Sequence, residues 1–168
     1  SAYYGRMKVI VIGSGGREHA IAWALSRSSL VDEVVCIPGN GGTAVEAKCR
    51  NIGVSVAETC TIVETCRKEL AGRRDHSFVV IGPEDPLAAG LSDRLAEARL
   101  SVVGPKMAGA ALEASKDVAK SFMSKYGVAC ASSETFTNAV DAIAAIGKIK
   151  GPIVVKADGL AAGKGVVV

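Results

Sequence analysis

The sequence predicts an α/β fold, in which an open parallel sheet with flanking helices is followed by the incomplete start of a second domain. Short apolar runs that end in glycine or proline alternate with helical patterns over the first hundred residues or so. Glycine and alanine are abundant while aromatic residues make up only 4% of the chain, which favours close packing of helices on a sheet. The 168 residues suffice for one full domain and part of another.

The first half of the chain supplies the parallel sheet. Met7–Gly13 is a run that is apolar apart from Lys8 and ends in glycine, which is typical of a strand buried on both faces. Ala20, Ile21 and Ala24 follow at helical spacing and predict a helix. The same patterns predict further strands at residues 32–40, 51–55, 77–81 and 100–105, and helices at 59–70 and 86–98.

The second half begins at the Gly104-Pro105 pair, which is the predicted domain boundary. It divides a first domain (7–103) from a second (104–168), and residues 1–6 are interpreted as an N-terminal extension or a remnant of cloning. Helices are predicted at 108–114 and 138–148, with one between them that Ser115 caps and Gly127 ends. The chain then continues as strand, glycine-rich loop and strand.

Charge and cysteine usage exclude several classes of protein. The net charge is +3 with acids and bases interspersed, which argues against a nucleic-acid surface. No apolar run approaches the roughly 20 residues that span a bilayer. The five cysteines form no C-x-x-C pair and are expected to be reduced thiols in a cytoplasmic protein. With only two histidines, a structural zinc site is not expected.

The first glycine loop, residues 13–16, joins the first strand to the first helix and is suited to an anion. A dinucleotide fingerprint would need a small residue at position 18 and an acid after the second strand. The chain has Glu18 and Asn40 there, so an NAD site is disfavoured. We interpret this loop as a binding site for a phosphate or another small anion. The alternative is a tight turn that binds no ligand.

Two further loops follow strands of the same sheet. Parallel strands end at one edge, so the first loop, the second loop (38–43, "PGNGGT") and the third loop (82–86, "GPEDP") are predicted to converge. Asn40 can donate and accept hydrogen bonds to sugar hydroxyls, and Glu84 can accept them or bind an amine. Arg17 and His19 are individually weak candidates for binding a ligand at this edge.

The last glycine loop is not a P-loop. That motif needs glycine where this chain has Asp158, and Ser or Thr where it has Gly165. A glycine flap (159–165) that covers phosphates fits better, with Lys156 on the incoming strand and Lys164 in the flap. The alternative is a surface hairpin with solvated lysines.

Five strings resemble the phosphoribosylamine–glycine ligase family, also called glycinamide ribonucleotide synthetase, of the ATP-grasp superfamily. They are "KVIVIGSGGREHAIAW", "PGNGGT", "IGPEDPLAAGL", "GP…AALEASKDVAKSFM" and "PIVVKADGLAAGKGVVV", and they run in family order from Met7 to Val168. The resemblance implies a Rossmann-like domain that precedes the ATP-grasp domain, and then the start of the ATP-grasp domain itself.

The resemblance also implies an activity and its ligands. The family joins glycine to 5-phosphoribosylamine through glycyl phosphate in purine biosynthesis, using ATP and Mg²⁺ and no nucleophilic side chain. By position, the residues expected at ATP are Lys116, Lys156, Gly159, Gly163, Lys164 and Gly165. Those expected at phosphoribosylamine are Gly15, Gly16, Asn40 and Glu84.

Family members are considerably longer than this chain, so the rest of a polypeptide is implied. The metal ligands and adenine contacts are expected beyond Val168, and we expect the segment alone to be inactive. Two rival hypotheses are another ATP-grasp ligase and a non-catalytic nucleotide-binding module.

Overall fold

The structure, a computed structural model, describes residues 7–73, 76–161 and 164–168. They form two compact units, of which the first ends at Ala110 and the second begins at Ala111. The Gly104-Pro105 pair lies within the first unit, and as a domain boundary it stays a prediction.

The first unit alternates strands and helices, as the sequence predicts. Its elements are β1 (Met7–Gly13), α1 (Gly16–Ser26), β2 (Val31–Pro38), β3 (Cys49–Asn51), α2 (Thr59–Glu69), β4 (Ser77–Ile81), α3 (Glu84–Ala88), α4 (Leu91–Glu97) and β5 (Val102–Val103). Helix α5 (Met107–Ala114) follows β5.

The five strands form one parallel sheet in the order β3-β2-β1-β4-β5. Strand β1 is central, with Gly13 beside Pro38 of β2 and Ile12 beside Ile81 of β4. The carboxyl ends of β1, β2 and β4 therefore lie at the same level. The predicted fold class is confirmed.

Apolar residues of β1 are buried on both faces of the sheet. Ile10 and Ile12 belong to a core with α2 and α4, whereas Val9 and Val11 belong to a second core under α1. All four are fully buried. This explains why residues 9–12 of β1 are all apolar rather than alternating, since successive side chains point to opposite faces and both faces are covered.

Two sequence predictions were wrong in detail. The third strand is Cys49–Asn51 rather than 51–55, because Cys49 pairs with Val34 and Asn51 with Cys36. Beyond it, the Val54 N–H donates to the Ile52 carbonyl 2.8 Å away and the chain leaves the sheet. The single helix predicted over 86–98 is two helices, α3 and α4, because Gly90 adopts a left-handed φ of 83° between them.

The second unit contains α6 (Lys116–Lys125), α7 (Ala139–Ile146) and a hairpin of β6 (Val155–Lys156) and β7 (Val166–Val167). Ser115 caps α6 as predicted, because its hydroxyl accepts the Val118 N–H. Gly127, with a φ of 67°, follows the helix as predicted. The strand–loop–strand prediction is also confirmed, although each strand is only two residues long.

The five cysteines are free thiols. Burial raises the pKa of the Cys66 thiol to about 12 and that of Cys36 to about 11. Both side chains therefore serve as apolar core groups at neutral pH. None of the helices within the described residues is long and apolar enough to span a bilayer.

Replacing Ile62, which is fully buried between α2 and the sheet, should destabilise the first unit. We expect Ile62→Ala to lower the free energy of unfolding by about 2–5 kcal/mol, because it leaves a cavity. The measurement is urea unfolding followed by the fluorescence of the single tryptophan, Trp23 of α1. Leu30→Ala is the matched control, since Leu30 is 63% exposed and its loss should change stability by less than about 0.5 kcal/mol. Equal losses in the two variants would contradict the assignment of the core.

Candidate functional site

Three loops meet at the carboxyl edge of the parallel sheet, as the sequence predicts. The Gly39 N–H of the second loop donates to the Gly13 carbonyl over 3.2 Å, and the Gly82 N–H of the third donates to the Ile12 carbonyl over 3.1 Å. The Asn40 side-chain amide donates to the Ser14 carbonyl over 2.9 Å. The first loop is therefore bonded to the second, and the third is bonded to the last residues of β1.

The first loop leads into α1 at a glycine pair. Gly15 is the N-cap with an extended backbone, and the helix begins at Gly16. Both glycines are exposed, and a Cβ at Gly16 would meet nothing within 4 Å. The first N–H groups of a helix lack backbone acceptors within it, so the N–H groups from Gly16 onward can donate to an anion.

A buried carboxylate lies directly beneath this turn. Glu18 is 4% exposed, and its Oε2 accepts the Gly15 N–H over 2.8 Å. Its Oε1 accepts the Nε–H of Arg17 over 2.9 Å. The sequence indicated Glu18 only as a departure from the dinucleotide fingerprint, and its contacts appear only in the folded chain.

Asn40 has both ends of its side-chain amide engaged. Its Oδ1 accepts the Thr43 N–H over 2.9 Å, while its Nδ2 donates to Ser14. The Thr43 hydroxyl is buried and donates to Asn51 Oδ1 over 2.8 Å, and Asn51 Nδ2 donates back to the Asn40 carbonyl over 2.8 Å. The sequence reasoning missed Thr43 and Asn51. The spacing of three residues from Asn40 to Thr43 was a usable signal of an Asx-type turn, whereas nothing near Asn51 marked it.

His19 also contacts the second loop. A Cβ on Gly42 would lie 2.2 Å from His19 Cε1, so the ring occupies the space beside this glycine. His19 Nε2 is 3.0 Å from Glu46 Oε1. A histidine that looked isolated in the sequence therefore joins α1 to the second loop.

The third loop contributes a carboxylate whose pKa is depressed. Glu84 begins α3, and its Oε2 accepts a hydrogen bond from Arg17 Nη2 over 3.3 Å. Its own backbone N–H, and then the Arg17 guanidinium, lower the pKa of the Glu84 carboxyl below its ordinary value of 4.5. Glu84 is therefore ionised at neutral pH, and it can accept hydrogen bonds from hydroxyls or amines.

In the second unit, an aspartate joins the glycine flap to the start of α6. Asp158 Oδ1 accepts the Lys116 N–H over 2.6 Å, and Oδ2 accepts the Ser115 hydroxyl over 3.0 Å. The Lys116 N–H and then the Ser115 hydroxyl lower the pKa of the Asp158 carboxyl. Lys116 Nζ in turn donates to the Gly159 carbonyl over 2.9 Å. In the sequence, Asp158 marked only the departure from a P-loop, and its contacts with Ser115 and Lys116 appear only in the folded chain.

The flap itself is closed by backbone hydrogen bonds. The Ala157 N–H donates to the Gly165 carbonyl and the Lys164 N–H to the Ala161 carbonyl, each over 2.8 Å. Gly159 has a φ of 93°, which favours glycine. Lys156 lies on β6 and is exposed, as is Lys164. Gly163, which was predicted to contact ATP, lies outside the described residues.

Within residues 7–73, 76–161 and 164–168, no three His, Cys, Asp or Glu side chains are grouped so as to hold a metal ion. The donors that Mg²⁺ prefers are carboxylate and other oxygens. The location of the ligands for the Mg²⁺ that the family resemblance implies stays a prediction.

The strings, the sheet and the flap all match one family. The model of the phosphoribosylglycinamide synthetase N domain matches residues 7–113, and that of the ATP-grasp (A) domain of the same synthetase matches 114–168. The chain belongs to the phosphoribosylglycinamide synthetase family. The family assignment confirms the resemblance found in the sequence.

Individual relatives agree with this assignment. A phosphoribosylamine–glycine ligase of Synechocystis sp. is 51% identical over 162 residues, which cover 96% of this chain and 38% of the relative. One of Neisseria meningitidis serogroup B is 49% identical over 96% of this chain and 37% of its own length. The crystal structure of the Thermotoga maritima phosphoribosylamine–glycine ligase is 36% identical, with a TM-score of 0.69 over 95% of this chain and 35% of that one. The chain thus spans little more than a third of the length of these relatives.

The Arg17–Glu84 ion pair can be tested by titration. We expect Arg17→Gln to raise the pKa of the Glu84 carboxyl toward its ordinary value of 4.5, but not fully, because the backbone donor remains. A folded pKa below the unfolded one means that the pair stabilises the fold above the unfolded pKa, and that this contribution is lost as pH falls through the folded pKa. The measurement is the ¹³C shift of the Glu84 carboxyl against pH. Arg94→Gln is the control, because Arg94 contacts Cys60 instead. An unchanged Glu84 midpoint in Arg17→Gln would contradict the pairing.

Proposed function

We propose that this chain is the part of a phosphoribosylamine–glycine ligase that binds 5-phosphoribosylamine and supplies one side of the ATP site. The observation that carries the proposal is the convergence of three loops, with an open glycine turn, an asparagine and an ionised glutamate, in a member of this family. The activity proposed is ligation of glycine to 5-phosphoribosylamine, which yields glycinamide ribonucleotide, ADP and phosphate.

The chemistry of 5-phosphoribosylamine supports the proposed substrate side. Its phosphate suits the exposed turn at Gly15 and Gly16, because the first N–H groups of α1, from Gly16 onward, have no backbone acceptors within the helix, whereas the Gly15 N–H already donates to Glu18. Its hydroxyls and amine are donors that suit the ionised carboxylate of Glu84. Asn40, whose amide is held by Ser14 and Thr43, is proposed to border the sugar.

The lysines and the glycine flap of the second unit support the proposed ATP site. Lys116 and Lys156 are cations near the base of the glycine flap, and Lys116 is held there by the Gly159 carbonyl. Lysines act on phosphates as point charges, and glycine backbone approaches phosphate oxygens closely. We propose that Lys116, Lys156 and Lys164 contact ATP phosphates, together with the backbone of Gly159, Gly163 and Gly165.

The proposed reaction has two steps. A carboxylate oxygen of glycine attacks the γ-phosphorus of ATP, which forms glycyl phosphate and releases ADP. The nitrogen of phosphoribosylamine then attacks the glycyl carbonyl carbon, and phosphate leaves as the amide bond forms. The chain's residues would contribute by holding substrates in place and balancing their charge. We propose that the ligands of Mg²⁺ in the working enzyme lie beyond Val168.

The family assignment favours this ligase over another ATP-grasp ligase or a non-catalytic nucleotide-binding module. A different ligase would use another amine or acid in place of phosphoribosylamine and glycine. A nucleotide-binding module would bind ATP tightly through the described residues alone. A cytoplasmic location, small-molecule substrates and the absence of a nucleic-acid or membrane partner remain expectations of the same proposal.

Binding of ribose 5-phosphate tests the substrate side. This sugar phosphate lacks the amine but keeps the phosphate and hydroxyls. We expect a titration to shift the backbone amide signals of Gly15, Gly16 and Asn40 in ¹⁵N spectra. Asn40→Ala should weaken binding roughly tenfold, because hydrogen bonds that order the loops are lost. Asn138→Ala is the matched control, since Asn138 caps α7 in the second unit. Shifts confined to other residues would reject the proposed location.

An ADP-release assay tests the nucleotide side. With ATP, glycine and phosphoribosylamine supplied, we expect this chain alone to show no turnover above background. It should nevertheless bind ATP weakly, with amide shifts at Lys116 and in the flap, because these residues would form only part of the site. Lys156→Ala should remove those shifts, whereas Lys148→Ala, a surface control, should keep them. Appreciable turnover by the chain alone, or tight ATP binding, would overturn this part of the proposal.

A further inference from the structure

We propose that Glu18 is a positioning residue that fixes the first and third loops of the phosphoribosylamine site against each other. The inference rests on the proposed function for the identity of the ligand, but the role in loop placement is independent of it. Glu18 is not proposed to touch the substrate, because its side chain is buried beneath the loops with 4% of its surface exposed.

The Glu18 carboxylate has two donors from the site itself. Oε2 accepts the Gly15 N–H over 2.8 Å, and Oε1 accepts the Arg17 Nε–H over 2.9 Å. A buried carboxylate is costly unless such partners satisfy it. The two bonds therefore lock the turn before α1 and fix the base of the Arg17 guanidinium.

Glycines at the carboxyl ends of two different strands leave space for the Glu18 side chain. A Cβ at Gly13, the last residue of β1, would lie 2.4 Å from Glu18 Cγ. A Cβ at Gly82, directly after β4, would lie 2.1 Å from Glu18 Oε1. Both distances are far below van der Waals contact, so an alanine at either position requires Glu18 to move. The carboxylate thus fills the gap between the first and third loops.

The same carboxylate acts on Glu84 through Arg17. Arg17 donates through Nε to Glu18 and through Nη2 to Glu84 over 3.3 Å, so its guanidinium connects a buried acid to an exposed one. If Glu18 sets the orientation of Arg17, it also sets where the Glu84 carboxylate is held. Glu18 therefore links the proposed phosphate turn to the proposed amine and hydroxyl contact.

These contacts give a physical reason for an acid at position 18. A dinucleotide-binding turn has a small residue at this point so that helix and strand pack closely. Here the small residues are Gly13 and Gly82, and the large one is on the helix. A glutamine has the same shape but only one acceptor oxygen, so its NH₂ group would oppose either Gly15 N–H or Arg17 Nε–H.

The first experiment compares binding with stability in Glu18→Gln. We expect this variant to stay folded, with its melting temperature lowered by only a few degrees. Its affinity for ribose 5-phosphate should fall roughly tenfold to a hundredfold, since hydrogen bonds to a charged group are lost. In the same variant the pKa of the Glu84 carboxyl should change. If Glu18 only stabilised the fold, the pKa of Glu84 would stay the same. Unchanged affinity together with an unchanged Glu84 titration overturns the proposal.

The second experiment is a double-mutant cycle with Gly82→Ala. Gly82 does not have a left-handed φ, so the contact with Glu18 is what opposes an alanine there. We expect Gly82→Ala to lower the melting temperature by roughly 3–10 °C in the parent chain, and far less in a Glu18→Ala background. Gly53→Ala is the matched control, because a Cβ at Gly53 meets nothing within 4 Å. If the two substitutions lower the melting temperature additively, the inferred contact between Glu18 and position 82 is rejected.

The two experiments separate this inference from the proposed function. If the parent chain fails to bind ribose 5-phosphate, the ligand assignment fails, while the double-mutant cycle and the Glu84 titration still test Glu18. If ribose 5-phosphate binds but the cycle is additive, the proposed function stands and the positioning role is rejected.

Discussion

The parallel pairing of β1 with β2 and β4 is the constraint on which the rest of the first unit depends. It sets Gly13 beside Pro38 and Ile12 beside Ile81, so three strands end together and three loops open at one edge. The pairing is stabilised from both sides, because β1 buries alternate residues in two separate cores. Because the strands that carry them are fixed, these loops can hold polar groups at fixed distances from one another.

The second feature of this edge is the close approach of α1 side chains to glycines of the loops. Glycines stand where Glu18 and His19 of α1 come within contact of the loops. Glycine loses more conformational freedom on folding than any other residue, so such positions carry an entropic cost. Hydrogen bonds at the same edge, such as that from Gly15 to Glu18 and that from Asn40 to Ser14, oppose this cost. Hydrogen bonds therefore help to hold these loops together.

The two units differ in the charge that they present. The first offers helix N–H groups and the carboxylate of Glu84, which suit a ligand with both a phosphate and an amine. The second offers the lysines of α6 and the hairpin, with Asp158 engaged in holding the start of α6 rather than facing outward freely. Under the proposed function, the sugar phosphate would bind to the first unit and the ATP phosphates would contact the second.

The sequence by itself determined the order of elements, the parallel sheet, the family and the loops that meet. Strands such as Met7–Gly13 and Ser77–Ile81 were readable because burial on both faces leaves a continuous apolar run. Only the tertiary structure decided the register of the third strand and the break at Gly90. It also revealed the partners of Glu18 and Asp158, which the sequence had indicated only as departures from known motifs. The physical reason is that local patterns record which side chains are buried, whereas the hydrogen-bond partners of a carboxylate are set by the folded loops and by residues distant in sequence, whether it is buried as in Glu18 or exposed as in Asp158.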